Sequence, residues 1–103
     1  MAVRLIVTIT AAAGKGSELG KLYKARCEDI VNEPGCEQFE VFQSVVNPDH
    51  LVILERWTDQ AALDVHISAL RSAPRAPEDA PRPPKPASMS IVAYEVASER
   101  TLA

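Results

Sequence analysis

The spacing of apolar side chains changes along the chain, and this change constrains the fold most strongly. Residues 3–10 alternate between apolar and mixed side chains and are rich in β-branched residues, which is typical of a strand. From Ser17 to about Asn32 the apolar residues recur every three or four positions, which predicts a helix with Ser17 as its N-cap. Strand patterns return over residues 36–45 and 51–57, and a turn sequence between them predicts a hairpin.

A second helix, a proline-rich stretch and a final strand complete the pattern. Thr58 or Asp59 is expected to cap the helix. Six prolines then fall within residues 71–86, where an α-helix cannot be maintained. We therefore expect residues 71–87 to form an extended connection. Alternation over residues 88–96 predicts the last strand.

The predicted order is strand, helix, strand, strand, helix, strand. Such an order favours an α+β fold of the ferredoxin-like βαββαβ type, with one antiparallel sheet and both helices on one face. A length of 103 residues fits one domain that spans 1–103. The uncovered sheet face carries apolar residues, so a second copy of the chain is expected to cover it in a homodimer.

Composition and charge argue against several function classes. The net charge is −3 and no basic cluster occurs, so a nucleic-acid partner is not expected. No apolar stretch is long enough for a membrane span, and Arg4 and Thr8 interrupt the N-terminal apolar run, so neither a membrane nor a signal peptide is expected. Cys27 and Cys36 are too few for a disulfide framework. These features predict a cytoplasmic protein with free thiols.

A glycine-containing loop precedes the first helix, where a phosphate-binding loop would stand. The dinucleotide fingerprint requires glycine at the position of Leu19. A P-loop requires glycine at Ile9 and Ser or Thr at Gly16. The loop is therefore interpreted as a flexible strand-to-helix turn.

Several short motifs follow one another in the middle of the chain. They are Glu33-Pro34-Gly35-Cys36, Phe39-Glu40-Val41, Asn47-Pro48-Asp49, Glu55-Arg56-Trp57, and Ala61, Ala62 and His66. In this order they resemble the antibiotic-biosynthesis-monooxygenase family of dimeric α+β barrels, from about Val3 to His66 and weakly over the last strand. Family members usually continue after this histidine into another short helix, and the proline-rich connection replaces it here.

The resemblance implies a cofactor-independent monooxygenase that oxidises electron-rich aromatics, such as quinols or anthrones, with O2. No cofactor and no metal are expected. His66 would be the catalytic base, because histidine titrates near neutral pH and can take a proton from a phenol. The structural alternative is a core histidine bonded to a backbone carbonyl.

Four aromatic residues are candidates for binding the substrate. Trp57 and Phe39 fall on corresponding faces of neighbouring predicted strands and would hold a planar ring, although both are equally suited to core packing. Tyr23 and Tyr94 would offer hydroxyl contacts, or could be core residues with their tips in water.

Glu55 shares a strand face with Trp57 and is the fifth candidate for substrate binding. A carboxylate on an apolar face is costly unless it has a partner. The expected partners are His66 or a backbone donor, or alternatively Arg4 or Arg26 in a salt bridge.

Three other functions on this fold stay open. Haem-degrading relatives pair a histidine and a tryptophan with an asparagine on the first strand, and residues 3–10 contain no asparagine. A non-catalytic small-molecule-binding or accessory protein is another alternative, and the proline-rich connection could itself recruit a partner. An isomerase of small carbonyl compounds is the last, because fold alone does not fix function.

Overall fold

A computed structural model describes residues 1–74, 77–80 and 84–103. These residues form four strands and two helices. The elements are β1 (Ala2–Ala11), α1 (Gly16–Ile30), β2 (Cys36–Gln43), β3 (His50–Trp57), α2 (Gln60–Ser72) and β4 (Pro86–Val96).

All neighbouring strands pair antiparallel, in the order β2-β3-β1-β4. The predicted ferredoxin-like βαββαβ fold is therefore confirmed. None of the helices that the described residues form is long and apolar enough to cross a membrane.

One face of the sheet forms the core together with the helices. The alternation predicted for the first strand is confirmed, since every second residue of β1 from Val3 to Ile9 is buried. Full burial of each such aliphatic side chain contributes about 1.5–3 kcal/mol. Both cysteines are free thiols, and burial raises the pKa of Cys27 to about 11, so this thiol is protonated at neutral pH.

The start of α1 differs from the prediction. Ser17 is not the N-cap, because the helix begins at Gly16 and no side chain within the helix caps it. Instead the carboxylate of Asp49 accepts hydrogen bonds from the amides of Gly14 and Gly16, both at 3.0 Å. These bonds lower the pKa of Asp49. The amides that a phosphate would use in a nucleotide-binding loop are thus bound by the chain's own carboxylate.

Other boundaries shift by a few residues. β2 ends at Gln43, two residues before its predicted end. The Ser44 hydroxyl accepts hydrogen bonds from the amides of Val46 and Asn47, and these bonds begin the hairpin turn. Asp59 is the cap of α2, and its Oδ1 accepts the amide of Ala62 at 2.8 Å.

The proline-rich connection is shorter than expected at both ends. α2 extends to Ser72, and β4 already begins at Pro86. Of the predicted connection 71–87, residues 75, 76 and 81–83 lie outside the described residues.

Two glycines of α1 provide a matched test of how closely this helix packs against Pro48 and Leu51. A Cβ at Gly16 would overlap the carbonyl oxygen of Pro48, whereas a Cβ at Gly20 would meet Leu51 Cδ2 at 3.4 Å, an ordinary contact. We expect Gly16→Ala to lower the free energy of unfolding by about 1–3 kcal/mol through overpacking. Gly20→Ala should be neutral or raise it by up to ~1 kcal/mol, because glycine is unfavourable inside a helix. Urea unfolding measures both, and equal stabilities would contradict this account.

Candidate functional site

The turn after α1 places the start of α2. Gly35 has a φ of +80°, and a Cβ there would lie 2.5 Å from Ala62 Cβ. The Gly35 carbonyl also accepts the amide of Thr58 at 2.8 Å. Only glycine allows both the backbone conformation and the close approach of the helix. The Glu33-Pro34-Gly35 segment therefore sets the position of α2 over the sheet.

His66 lies one helical turn beyond Ala62 and faces the same turn segment. Its Nδ1 is 3.0 and 3.1 Å from the two carboxylate oxygens of Glu33. An ionised carboxylate only accepts hydrogen bonds, so Nδ1 carries the hydrogen in the neutral ring and the lone pair is on Nε2. The partner of His66 is thus a carboxylate and not the backbone carbonyl that the structural alternative supposed.

Two aromatic side chains fix the imidazole ring from other directions. Trp57 stacks on His66 with ring centroids 4.7 Å apart and an interplanar angle of 29°. Phe39 makes edge contacts with His66 at 5.8 Å and with Trp57 at 6.4 Å. Trp57 is fully buried and His66 is 4% exposed. Packing and the bond to Glu33 together hold the ring in one orientation.

Glu55 has a partner that the sequence did not indicate. Its Oε1 accepts the indole N–H of Trp57 at 3.0 Å. The expected partners were His66, a backbone donor, Arg4 or Arg26, but Arg4 donates to Gln38. Burial raises the pKa of Glu55, and the hydrogen bond from Trp57 only partly offsets this effect.

A cavity of about 160 Å³ lies between the two helices and the sheet. Its walls are mainly apolar, with four polar side chains among them. It is lined by Val7, Tyr23, Arg26, Ile30, Phe39, Ile53, Glu55, His66, Leu70, Met89 and Ile91. Every fully buried side-chain nitrogen or oxygen of the described residues has a hydrogen-bond partner. His66 Nε2 and Glu55 Oε2 have no partner among the described residues, so neither atom is fully buried, and this cavity is the space that both side chains line.

The cavity brings together four of the six predicted site residues: His66, Phe39, Glu55 and Tyr23. Trp57 is not in the lining and lies behind His66 as its stacking partner. Tyr94 is half exposed and pairs with Arg4, on the sheet face opposite the buried residues of β1.

Larger grooves exist elsewhere, of about 280 to 350 Å³, but His66, Glu55 and Trp57 line none of them. Among the described residues no group of three or more His, Cys, Asp or Glu side chains could hold a metal ion.

Glu33 was missed as a site residue. It stands 33 positions from His66, and its place in the Glu33-Pro34-Gly35 motif was its only signal. Arg26 was considered only as an ion-pair partner for Glu55, whereas it lines the cavity with its guanidinium 5.6 Å from the centre of the Tyr23 ring.

Solved structures share this fold over nearly the whole chain. A Deinococcus radiodurans protein assigned to the antibiotic biosynthesis monooxygenases has a TM-score of 0.75 at 22% identity, over 98% of both chains. PA3566 from Pseudomonas aeruginosa has 0.71 at 26%, over 90% of this chain and 91% of that one. The haem-degrader MhuD from Mycobacterium tuberculosis, solved with two haems in its active site, has 0.69 at 23%, over 96% and 99%.

The sequence itself matches one family. A search of curated proteins found no match to this chain. The model of the antibiotic biosynthesis monooxygenase family matches residues 2–69, which span β1 through most of α2 and include Glu33, Glu55, Trp57 and His66. The chain therefore belongs to the antibiotic biosynthesis monooxygenase family.

Proposed function

We propose that the chain is a cofactor-independent monooxygenase that oxidises an electron-rich phenolic or quinol-type aromatic with O2. The observation that carries the proposal is the Glu33–His66 pair at an apolar cavity. The carboxylate holds the hydrogen on Nδ1, which leaves the Nε2 lone pair available to take a proton. Family membership supports the reaction type.

The substrate supplies the reducing electrons in this reaction. His66 removes a proton from a ring hydroxyl, and the resulting anion transfers one electron to O2. The substrate radical and superoxide combine into a carbon-bound peroxide. Loss of water then leaves a new carbonyl group, so a quinol and O2 give a hydroxyquinone and one water. An apolar cavity favours these steps because it excludes bulk water from the reactive anion.

Other side chains position the reactants in this proposal. Phe39 and Tyr23 contact the aromatic ring, and Trp57 holds the imidazole rather than the substrate. Tyr94 has no role within one chain, because it lies on the other sheet face.

Removal of the base should abolish most of the reaction. We expect His66→Ala to lower the rate of O2 uptake with the best quinol of a panel by about 100-fold to 10,000-fold. Glu33→Ala should cause a smaller loss, because the base remains but its ring is no longer oriented. The panel contains hydroquinones with and without a ring carboxylate, naphthoquinols and anthrones, and an oxygen electrode follows the reaction.

Glu28→Ala is the matched control, since Glu28 is an exposed carboxylate on the outside of α1. Its rate should equal that of the parent. Parent rates equal to buffer on every compound would refute the proposal, and a His66→Ala rate equal to the parent would remove His66 from the mechanism.

Glu55 is proposed to hydrogen-bond a substrate oxygen through Oε2. Because burial raises its pKa, the folded chain binds this proton more tightly than the unfolded chain does. Its ionisation therefore lowers stability as pH rises from the unfolded pKa through the folded pKa. Such a cost is common where a polar group serves function rather than stability.

Glu55→Gln should separate the stability cost of ionising Glu55 from its proposed role in substrate binding. It keeps an acceptor for Trp57 but cannot ionise, so we expect a higher melting temperature than the parent at pH 7 and an equal one near about pH 3, where glutamate is protonated in both states. O2 uptake should fall. Glu28→Gln should melt like the parent at both pH values. A variant that is less stable at pH 7, or a difference independent of pH, would contradict this account.

Proton transfer without oxidation is the second candidate. His66 and Glu55 both line the same cavity, and an isomerase of small carbonyl compounds requires an acid and a base together in this way. Exchange of a substrate C–H for deuterium without O2 uptake would favour it. Haem degradation receives less support, because the first strand lacks the asparagine of haem-degrading relatives, and a Soret titration tests it.

We also propose that two copies pair through the open sheet face, the face opposite the helices. Ile6 pairs with Leu54 and Val92 across three strands, and Phe42 pairs with Val52 in the next row. Phe42 and Val92 are more than 40% exposed in one chain. An apolar surface that crosses a whole sheet is typical of an interface, and a symmetric dimer would cover both copies.

A charge at the centre of this face should dissociate the dimer. We expect Leu54→Arg to raise the dimer dissociation constant at least about 30-fold, the effect of losing a central contact of ~2 kcal/mol. Val65→Arg is the control, because Val65 is 66% exposed on α2. Sedimentation velocity measures both. A monomeric parent at micromolar concentration, or equal behaviour of the two variants, would refute the interface.

A further inference from the structure

We infer that the substrate is a single-ring aromatic with an acidic substituent, and that the Arg26 guanidinium binds this substituent at the cavity edge. The inference rests on the proposed function for the site and adds the substrate class. It follows from two properties of the same cavity, its volume and the single Lys or Arg among the described residues of its lining.

The volume favours a ligand of one ring. The space among the described lining residues measures about 160 Å³ and is partly open to solvent. A cavity of about 150 Å³ in another protein, also lined by aliphatic and aromatic side chains, is filled by benzene, whereas pockets for larger ligands measure roughly 300–1,000 Å³. Phe39 and Ile53 supply apolar walls of the same kind here. A three-ring anthrone or haem would extend out of this space into solvent.

The charges favour an anion at one side of the ring. Arg26 is the only Lys or Arg among the described residues that line the cavity, and no carboxylate of those residues forms a salt bridge with it. Glu55 is a carboxylate of the same lining, but its Oε1 accepts from Trp57 and burial raises its pKa, so it opposes a bound anion less than an exposed carboxylate would. The guanidinium therefore keeps its N–H donors for a ligand, and its planar fork suits a carboxylate.

The position of Arg26 also indicates that it would contact a substituent of the substrate rather than the oxygen that reacts. Arg26 is an exposed residue of α1 and its guanidinium lies against the Tyr23 ring, whereas His66 is buried. A ring that fills the cavity would place its carboxylate toward the solvent-exposed guanidinium and its hydroxyl toward His66 Nε2. Arg26 would thus select the substrate and orient it for proton removal.

Three non-reacting probes test both properties. Benzoate, its neutral isostere benzamide and the larger 1-naphthoate are titrated into the full chain while ¹H–¹⁵N NMR shifts are recorded. We expect benzoate to bind at least about tenfold more tightly than benzamide, as a charge-assisted hydrogen bond allows. 1-Naphthoate should bind more weakly than benzoate.

The variants are Arg26→Gln and the control Lys24→Gln, which removes the same charge from an exposed position of the same helix. Arg26→Gln should weaken benzoate binding about tenfold and leave benzamide unchanged. Lys24→Gln should leave benzoate binding within about twofold of the parent. Far-UV circular dichroism establishes that both variants are folded.

Some results would overturn the inference. These are equal affinities for benzoate and benzamide, benzoate binding that survives Arg26→Gln, or 1-naphthoate binding as tightly as benzoate.

Because the probes are not oxidised, they measure binding independently of catalysis. O2 uptake with hydroquinone and with 2,5-dihydroxybenzoate then distinguishes the two failures. Equal kcat/KM for both compounds would preserve the monooxygenase and refute the acidic substrate, whereas probe binding without O2 uptake would refute the monooxygenase alone.

Discussion

The hydrogen bond between Glu33 and His66 connects the parts of the molecule on which the site depends. It joins the turn after α1 to the inner face of α2, across 33 positions of sequence. The bond can form only because Gly35 lets α2 approach the turn closely at Ala62. Backbone packing therefore determines the position of α2, and the position of α2 determines where the His66 ring lies. The Glu33 carboxylate then determines which ring nitrogen carries the lone pair. A motif of three consecutive residues thus acts on both the fold and the chemistry of the cavity.

The site also contains a polar arrangement that packing alone would not favour. Glu55 is buried beside two aromatic rings, and its only hydrogen-bond donor among the described residues is the Trp57 indole. Trp57 in turn stacks on His66, so one side chain supports the base and partly satisfies the acid. Apolar residues of similar size would pack there at lower cost. The arrangement is understandable where the remaining carboxylate oxygen contacts a ligand.

Local patterns predicted the fold well because they report which face of each element is buried. The alternation of β1 and the shared face of Glu55 and Trp57 are both present in the structure. Contacts between distant segments were not predictable in the same way. Ser17 is a good N-cap by type, but Asp49 from the hairpin turn binds the amides before α1 instead. Glu33 and His66 give no sign of pairing until the helix and turn are placed.

The face of Tyr94 shows why register matters for site prediction. Alternation fixes which residues of β4 share a face but not which face meets the helices, and only pairing with Arg4 settles this. The same register gives β4 two roles. Met89 and Ile91 line the cavity, while Val92 and Tyr94 lie on the open sheet face through which we propose dimerisation. A shift of one residue would exchange the two sets. Because β4 is an edge strand whose side chains are mostly exposed, contacts on its open face would also hold the cavity wall in place.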